Sequence, residues 1–61
     1  MKDPTIILDE NNTITERKVY DSRHGILYEY YFNGIFAFGV MEKDRMTTET
    51  LCSLWIDGYF D

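Results

Sequence analysis

From Ile26 to Met41 apolar side chains fill nearly every position. The run is broken only by Glu29, by Asn33-Gly34 and by Gly39. A dense apolar run rich in aromatic and β-branched residues, cut by a turn signal, predicts two strands, Ile26 to Phe32 and Ile35 to Met41. Asn33-Gly34 is a strong hairpin signal, because both residues tolerate the positive φ of a type I′ turn. Upstream the pattern is sparser. Thr5 to Asp9 is a brief β-type run with two isoleucines, and Glu10-Asn11-Asn12 reads as a turn. Thr13 to Tyr20 mixes β-branched and charged residues like a half-exposed strand, and Asp21 to Gly25 (DSRHG) is the next loop.

Downstream, Glu42 to Met46 is a polar connector, after which the period changes. Thr47 or Thr48 can cap a helix, with Glu49 favourably placed near its N-terminus. Leu51, Leu54 and Trp55 then fall on one face, and Gly58 suits a left-handed helix end. The spacing predicts a helix over about Thr48 to Asp57; a further strand is the alternative, since Trp55, Ile56, Tyr59 and Phe60 also suit strands. The expected fold is a single small α+β domain. It is a three- to four-stranded antiparallel β-meander with a short C-terminal α-helix packed on one face.

A two-residue turn sets the hairpin register. Continued without interruption, it places Phe32 opposite Ile35, Tyr31 opposite Phe36, Tyr30 opposite Ala37, Glu29 opposite Phe38, Tyr28 opposite Gly39 and Leu27 opposite Val40. One face then holds Leu27, Tyr31, Phe36, Phe38 and Val40 with Glu29. The other holds Ile26, Tyr28, Tyr30, Phe32, Ile35, Ala37, Gly39 and Met41. The first set is the more purely hydrocarbon and matches Leu51, Leu54 and Trp55, so the helix is expected over it. The tyrosine face is left for a partner, unless residues 4–8 or Tyr59-Phe60 fold over it. A five-residue DSRHG loop puts Arg17 opposite Glu29, Lys18 opposite Tyr28 and Glu16 opposite Tyr30. A four-residue loop puts Lys18 opposite Glu29 and Arg17 opposite Tyr30.

Size sharpens this picture. A chain of 61 residues buries a small share of its surface, and Cys52, the only cysteine, excludes an internal disulfide. Aromatic packing and oligomerisation remain as routes to stability. The formal charge of −5 comes from eleven acidic and six basic residues, and the bases form no run. Direct nucleic-acid binding and anionic membranes are disfavoured as partners. No segment reaches the length of a membrane span, and Ile6 to Leu8 is too short for a signal-peptide core. The free cysteine points to a reducing, cytoplasmic setting.

Candidate chemistry is thin. His24 sits beside Asp21 and Ser22, but neighbours in sequence rarely give triad geometry, and a solvated turn histidine is the expectation. Cys52 reads as a small packed hydrophobe. Asp9, Asn11, Thr13 and Glu16 resemble a calcium loop only until Ile14 falls where glycine is required and Tyr20 where glutamate is. No metal or cofactor is expected. Glu29, flanked by tyrosines, is expected to pair with Arg17 or Lys18.

The leading expectation is a non-enzymatic protein-binding protein, an inhibitor or adaptor, or a homodimer. It would act through Tyr28, Tyr30, Phe32, Ile35 and Met41. The alternative is an acidic nucleic-acid mimic that blocks a DNA- or RNA-acting enzyme through Glu42, Asp44 and Glu49, with Asp9-Glu10 and Asp57/Asp61 adding charge. An enzymatic reading would need His24 or Cys52.

Overall fold

The computed structural model describes residues 3–60; Asp61 lies outside them. The elements are β1 (Thr5–Ile7), β2 (Thr13–Asp21), β3 (Gly25–Phe32), β4 (Ile35–Met41), a short 3-10 turn (Glu42–Asp44) and α1 (Thr48–Ile56). The four strands pair in sequence order, each neighbouring pair antiparallel. The fold is therefore an α+β antiparallel meander with one short C-terminal helix.

Each turn follows from local chemistry. The Asp9 carboxylate accepts from the Asn11 N–H at 2.7 Å and the Asn12 amide at 2.9 Å. These donors hold its carboxyl below the usual range and close the β1–β2 turn as an Asx turn. Asp21 does the same between β2 and β3, accepting from the Arg23 N–H at 2.7 Å and the His24 N–H at 3.1 Å. Gly25, the first residue of β3, follows at φ 79, a left-handed conformation that glycine adopts without steric cost. At the third turn Asn33 and Gly34 take φ 52 and 82, as a type I′ turn requires. The β2–β3 register is that of the five-residue loop, with Arg17 opposite Glu29 and Glu16 opposite Tyr30.

The helix begins where Thr47 Oγ1 accepts from the Thr50 N–H at 3.1 Å. It ends in a Schellman closure. The Tyr59 N–H donates to the Leu54 carbonyl at 2.9 Å and the Gly58 N–H to the Trp55 carbonyl at 3.0 Å, with Gly58 at φ 81. Thr47 is thus the cap, and the C-terminal segment is helix rather than strand.

The register of the central hairpin departs from the uninterrupted one. Phe32 faces Ile35 and Tyr31 faces Phe36, but Tyr30 then faces Phe38, Glu29 faces Gly39, Tyr28 faces Val40 and Leu27 faces Met41. Ala37 is the extra residue of a β-bulge. A one-residue slip moves every later side chain to the other face. Phe38 and Val40 thereby leave the face of Glu29 and join Tyr28 and Tyr30.

This reverses the expected layering. The buried core is Ile14, Tyr28, Tyr30 and Leu51, so α1 lies on the tyrosine face and not on the Leu27/Phe36 face. The physical reason is in β2. Ile14 and Ile6 share a face with Phe32, Tyr30 and Tyr28, and the bulge adds Phe38 and Val40 to that side. Leu51, 1% exposed, completes the layer; burying such a side chain contributes about 1.5–3 kcal/mol. Phe60 returns over the same face, its ring stacked on Phe32 at 5.0 Å between centroids.

Candidate binding surface

The helix-side face is closed by a polar clamp. Glu16 projects from β2 into this layer and is 8% exposed. A buried carboxylate must be paired and hydrogen-bonded, and here it is. Arg45 Nη2 donates to Glu16 Oε1 at 2.7 Å, Arg45 Nε to Oε2 at 3.1 Å, and the Tyr30 hydroxyl to Oε2 at 2.8 Å. The Met46 N–H donates to the Tyr30 oxygen at 2.9 Å. The Arg45 guanidinium also lies over the Tyr28 ring, 4.5 Å from its centroid. The hydrogen bonds from Arg45 hold the Glu16 carboxyl below its ordinary range, and Glu16 in turn raises Arg45. Burial, and then the bond to Glu16, pushes the Tyr30 hydroxyl up to about 12. Both acceptors are spoken for, so the clamp fastens the segment before α1 onto the sheet. Sequence reasoning placed Glu16 opposite Tyr30 in one of the two registers it left open. It had no signal for Arg45, which arrives from a connector.

The residues expected to form one partner patch are dispersed. Tyr28 and Tyr30 are interior, 5% and 0% exposed, because the bulge and β2 bring the helix to their side. Phe32 is half-buried against Phe60. Ile35, 73% exposed, lines a cleft of ≈ 300 Å³ at the β4 edge with Phe32, Phe36, Ala37, Tyr59 and Phe60. Met41 is exposed on the opposite face of the sheet, in the row of Leu27.

That opposite face is the open one. Successive rows across β2, β3 and β4 read Val19–Leu27–Met41, Arg17–Glu29–Gly39 and Thr15–Tyr31–Phe36. Among the described residues no helix or second layer lies over it. Phe36 is 55% and Met41 41% exposed. Tyr31 meets Phe36 edge-on at 5.7 Å, and its hydroxyl donates to Glu29 Oε1 at 2.9 Å. Glu29 therefore spends an oxygen on Tyr31. Arg17, directly opposite in register, has no ion-pair partner among the described residues; the pairs there are His24–Asp21 and Arg45–Glu16. Gly39 faces Glu29, not Tyr28, and a Cβ at that position would meet only ordinary contacts at 3.7 and 3.9 Å.

The remaining candidates are separate. Glu42, Asp44 and Glu49 are exposed, the first two on the 3-10 turn and the third in the first turn of α1. His24 is an exposed turn residue whose Nδ1 lies 3.4 Å from the Asp21 carboxylate, and Cys52 is a free, half-buried thiol on α1. Among the described residues no group of three or more His, Cys, Asp and Glu could hold a metal ion. No described helix is long and apolar enough to cross a membrane. No protein-family model matches the chain, and no curated protein and no solved structure matches it either.

Proposed function

We propose that this chain is a small non-enzymatic binding protein, an inhibitor, adaptor or self-associating subunit, whose working surface is the open face of the sheet. One observation carries this: Val19, Leu27, Tyr31, Phe36 and Met41 share a face, while the single helix is committed to the other side through Leu51. Phe36 and Met41 are exposed and Val19, Leu27 and Tyr31 half-buried, in two apolar rows on either side of the Arg17–Glu29 row; aromatic residues and Met are enriched at interface cores. The buried carboxylate Glu16 is neutralised by Arg45 and Tyr30, which suits a structural clamp better than acid–base chemistry. The test is a photo-reactive benzophenone side chain in place of Phe36, and separately in place of Tyr20, which is exposed on the helix side. The expected outcome is an adduct with a defined protein, another chain or this one, from position 36 and none from position 20. Equal labelling at the two positions, or none at 36, would overturn the reading.

A second reading keeps the acidic surface. Arg45, next to Asp44 in sequence, is turned onto Glu16, and Glu42, Asp44 and Glu49 make no ion pair among the described residues, so the three could present a phosphate-like array. It predicts a salt-sensitive complex with a nucleic-acid enzyme, weakened by Glu42→Gln, Asp44→Asn and Glu49→Gln together. An unchanged complex in that triple variant eliminates it.

A further inference from the structure

We infer that the occupant of the open face is a second copy of this chain, packed sheet to sheet about a two-fold axis running parallel to the strands between β2 and β3. The inference rests on the reading of that face as a binding surface, and adds its partner. The carrying observation is charge. The chain is strongly acidic, with a net −5, yet the middle row of this face holds one cation and one anion, Arg17 and Glu29, side by side in register. Asp21, at the face's margin, is bound to the amides of its own turn. Two copies can thus approach through a central row of zero net charge, with the Asp21 carboxylate left at the margin. Like charges juxtaposed across an interface would oppose it.

The geometry makes this face complementary to itself. Rotation about an axis between β2 and β3 sets β3 of the second copy over β2 of the first without shifting the rows. Glu29 of the second copy then lies over Arg17, and Arg17 of the second copy over Glu29. In the flanking rows Leu27 of the second copy falls over Val19 and Tyr31 of the second copy over Thr15, while β4 of the second copy falls over the three-residue β1, which sets its Phe36 over Thr5 and leaves its Met41 unopposed among the described residues. A C2 interface requires this reciprocity, residue i to j and j to i. Arg17 has no partner within its own chain among the described residues, and the second copy supplies one. Packed sheets stand about 10 Å apart with interdigitated side chains, the strands within roughly 30° of alignment.

Size sets the strength. The three long strands, of seven to nine residues at about 3.3 Å per residue and about 4.8 Å apart, make a face roughly 25 Å long and 14 Å wide. Two such faces bury about 700 Å² in total, below the roughly 1,000 Å² of a stable specific interface and in the range of weak, transient contacts. A weak, rapidly reversible dimer is expected, populated towards the upper end of the concentration range.

The test is sedimentation equilibrium on the full chain over roughly 1 µM to 1 mM, spanning the affinities such an interface reaches. Arg17→Glu alone and Glu29→Arg alone are each expected to weaken the dimer at least about tenfold, since each sets like charges opposite one another twice. An equimolar mixture of the two variants is expected to restore it as a heterodimer, because both crossed pairs are then opposite in sign. Should Glu29→Arg fail to fold by circular dichroism, Arg17→Lys with zero-length carbodiimide coupling in an isotope-mixed sample replaces it. Coupled peptides joining differently labelled copies, Lys to Glu29, are expected; coupling only within one label overturns the pairing. A chain that stays monomeric throughout overturns the second-copy inference, and an adduct from position 36 with a different protein would then keep the binding reading. A dimer indifferent to the swaps overturns the inference too, and together with no adduct at position 36 sinks both.

Discussion

Tyr30 stands opposite Phe38, their ring centroids 5.2 Å apart, and Ala37 is left as the extra residue of a bulge. That one unpaired residue decides which face the helix covers. It brings Phe38 to the side of Tyr30, where it also meets Tyr59 edge-on at 5.7 Å. Deleting Ala37 should therefore be tolerated. The shortened strand would pair Tyr31 with Phe36 and Tyr30 with Phe38 without a bulge, in the same faces. Phe38→Ala should lose about 2–3 kcal/mol, below the range for a fully buried phenylalanine because Phe38 is only partly buried. Urea unfolding of both variants checks this; a deletion more damaging than Phe38→Ala would contradict the register.

Tyr30→Phe removes a hydroxyl that donates to Glu16 and accepts from the Met46 N–H. The amide of Met46 is left without its acceptor and Glu16 with one donor residue fewer. A loss of about 1–3 kcal/mol is expected, the typical effect of stranding a buried polar group. Denaturant midpoints measure it. Tyr31→Phe, which removes only a bond to Glu29 on the open face, should lose less.

The same clamp sets two pH limits. The Glu16 carboxyl is lowered from 4.5, first by its hydrogen bonds from Arg45. The folded chain takes up that proton less readily than the unfolded one, so this contribution is fully present above about pH 4.5 and lost as pH falls through the lowered value. Tyr30 is raised from 10.0 to about 12, first by burial. The unfolded chain releases that proton first, so the contribution is full below pH 10 and lost as pH rises towards about 12. Thermal melts across pH should show Glu16→Gln flattening the acid limb and Tyr30→Phe reducing the alkaline fall. An alkaline limb unchanged in Tyr30→Phe would remove Tyr30 from this role.

Asn33 serves two structures at once. Besides its left-handed turn conformation, its Oδ1 accepts from the Thr13 N–H at 2.8 Å and its amide donates to Asn12 Oδ1 at 3.0 Å. The β3–β4 turn is thereby clipped to the β1–β2 turn. Asn33→Gly keeps the turn and loses the clip, about 1 kcal/mol. Asn33→Ala loses both, through the added strain of a positive φ. The expected stability order is wild type, then Asn33→Gly, then Asn33→Ala; equal stability of wild type and Asn33→Gly would mean the clip contributes nothing.

Local chemistry was legible from the sequence. Asn33-Gly34 and Gly58 act within a few residues, so the turns, the antiparallel meander and the preferred C-terminal helix could be read from them; the Asx roles of Asp9 and Asp21, the choice of Thr47 over Thr48 as cap and the fourth strand came with the structure. The candidate surface could not. Which face is covered depends on a bulge at Ala37, and nothing near Ala37 demands one: the bulge is favoured because Phe38 and Val40 gain burial against Tyr28, Tyr30, Ile14 and Leu51, residues spread from β2 to α1. The Glu16–Arg45 clamp likewise joins residues 29 positions apart. In a sheet apolar on both sides, hydrophobic pattern alone cannot rank the faces, because either could be buried. Only the sum of long-range packing chose the tyrosine side, leaving Leu27, Tyr31, Phe36 and Met41 facing outward.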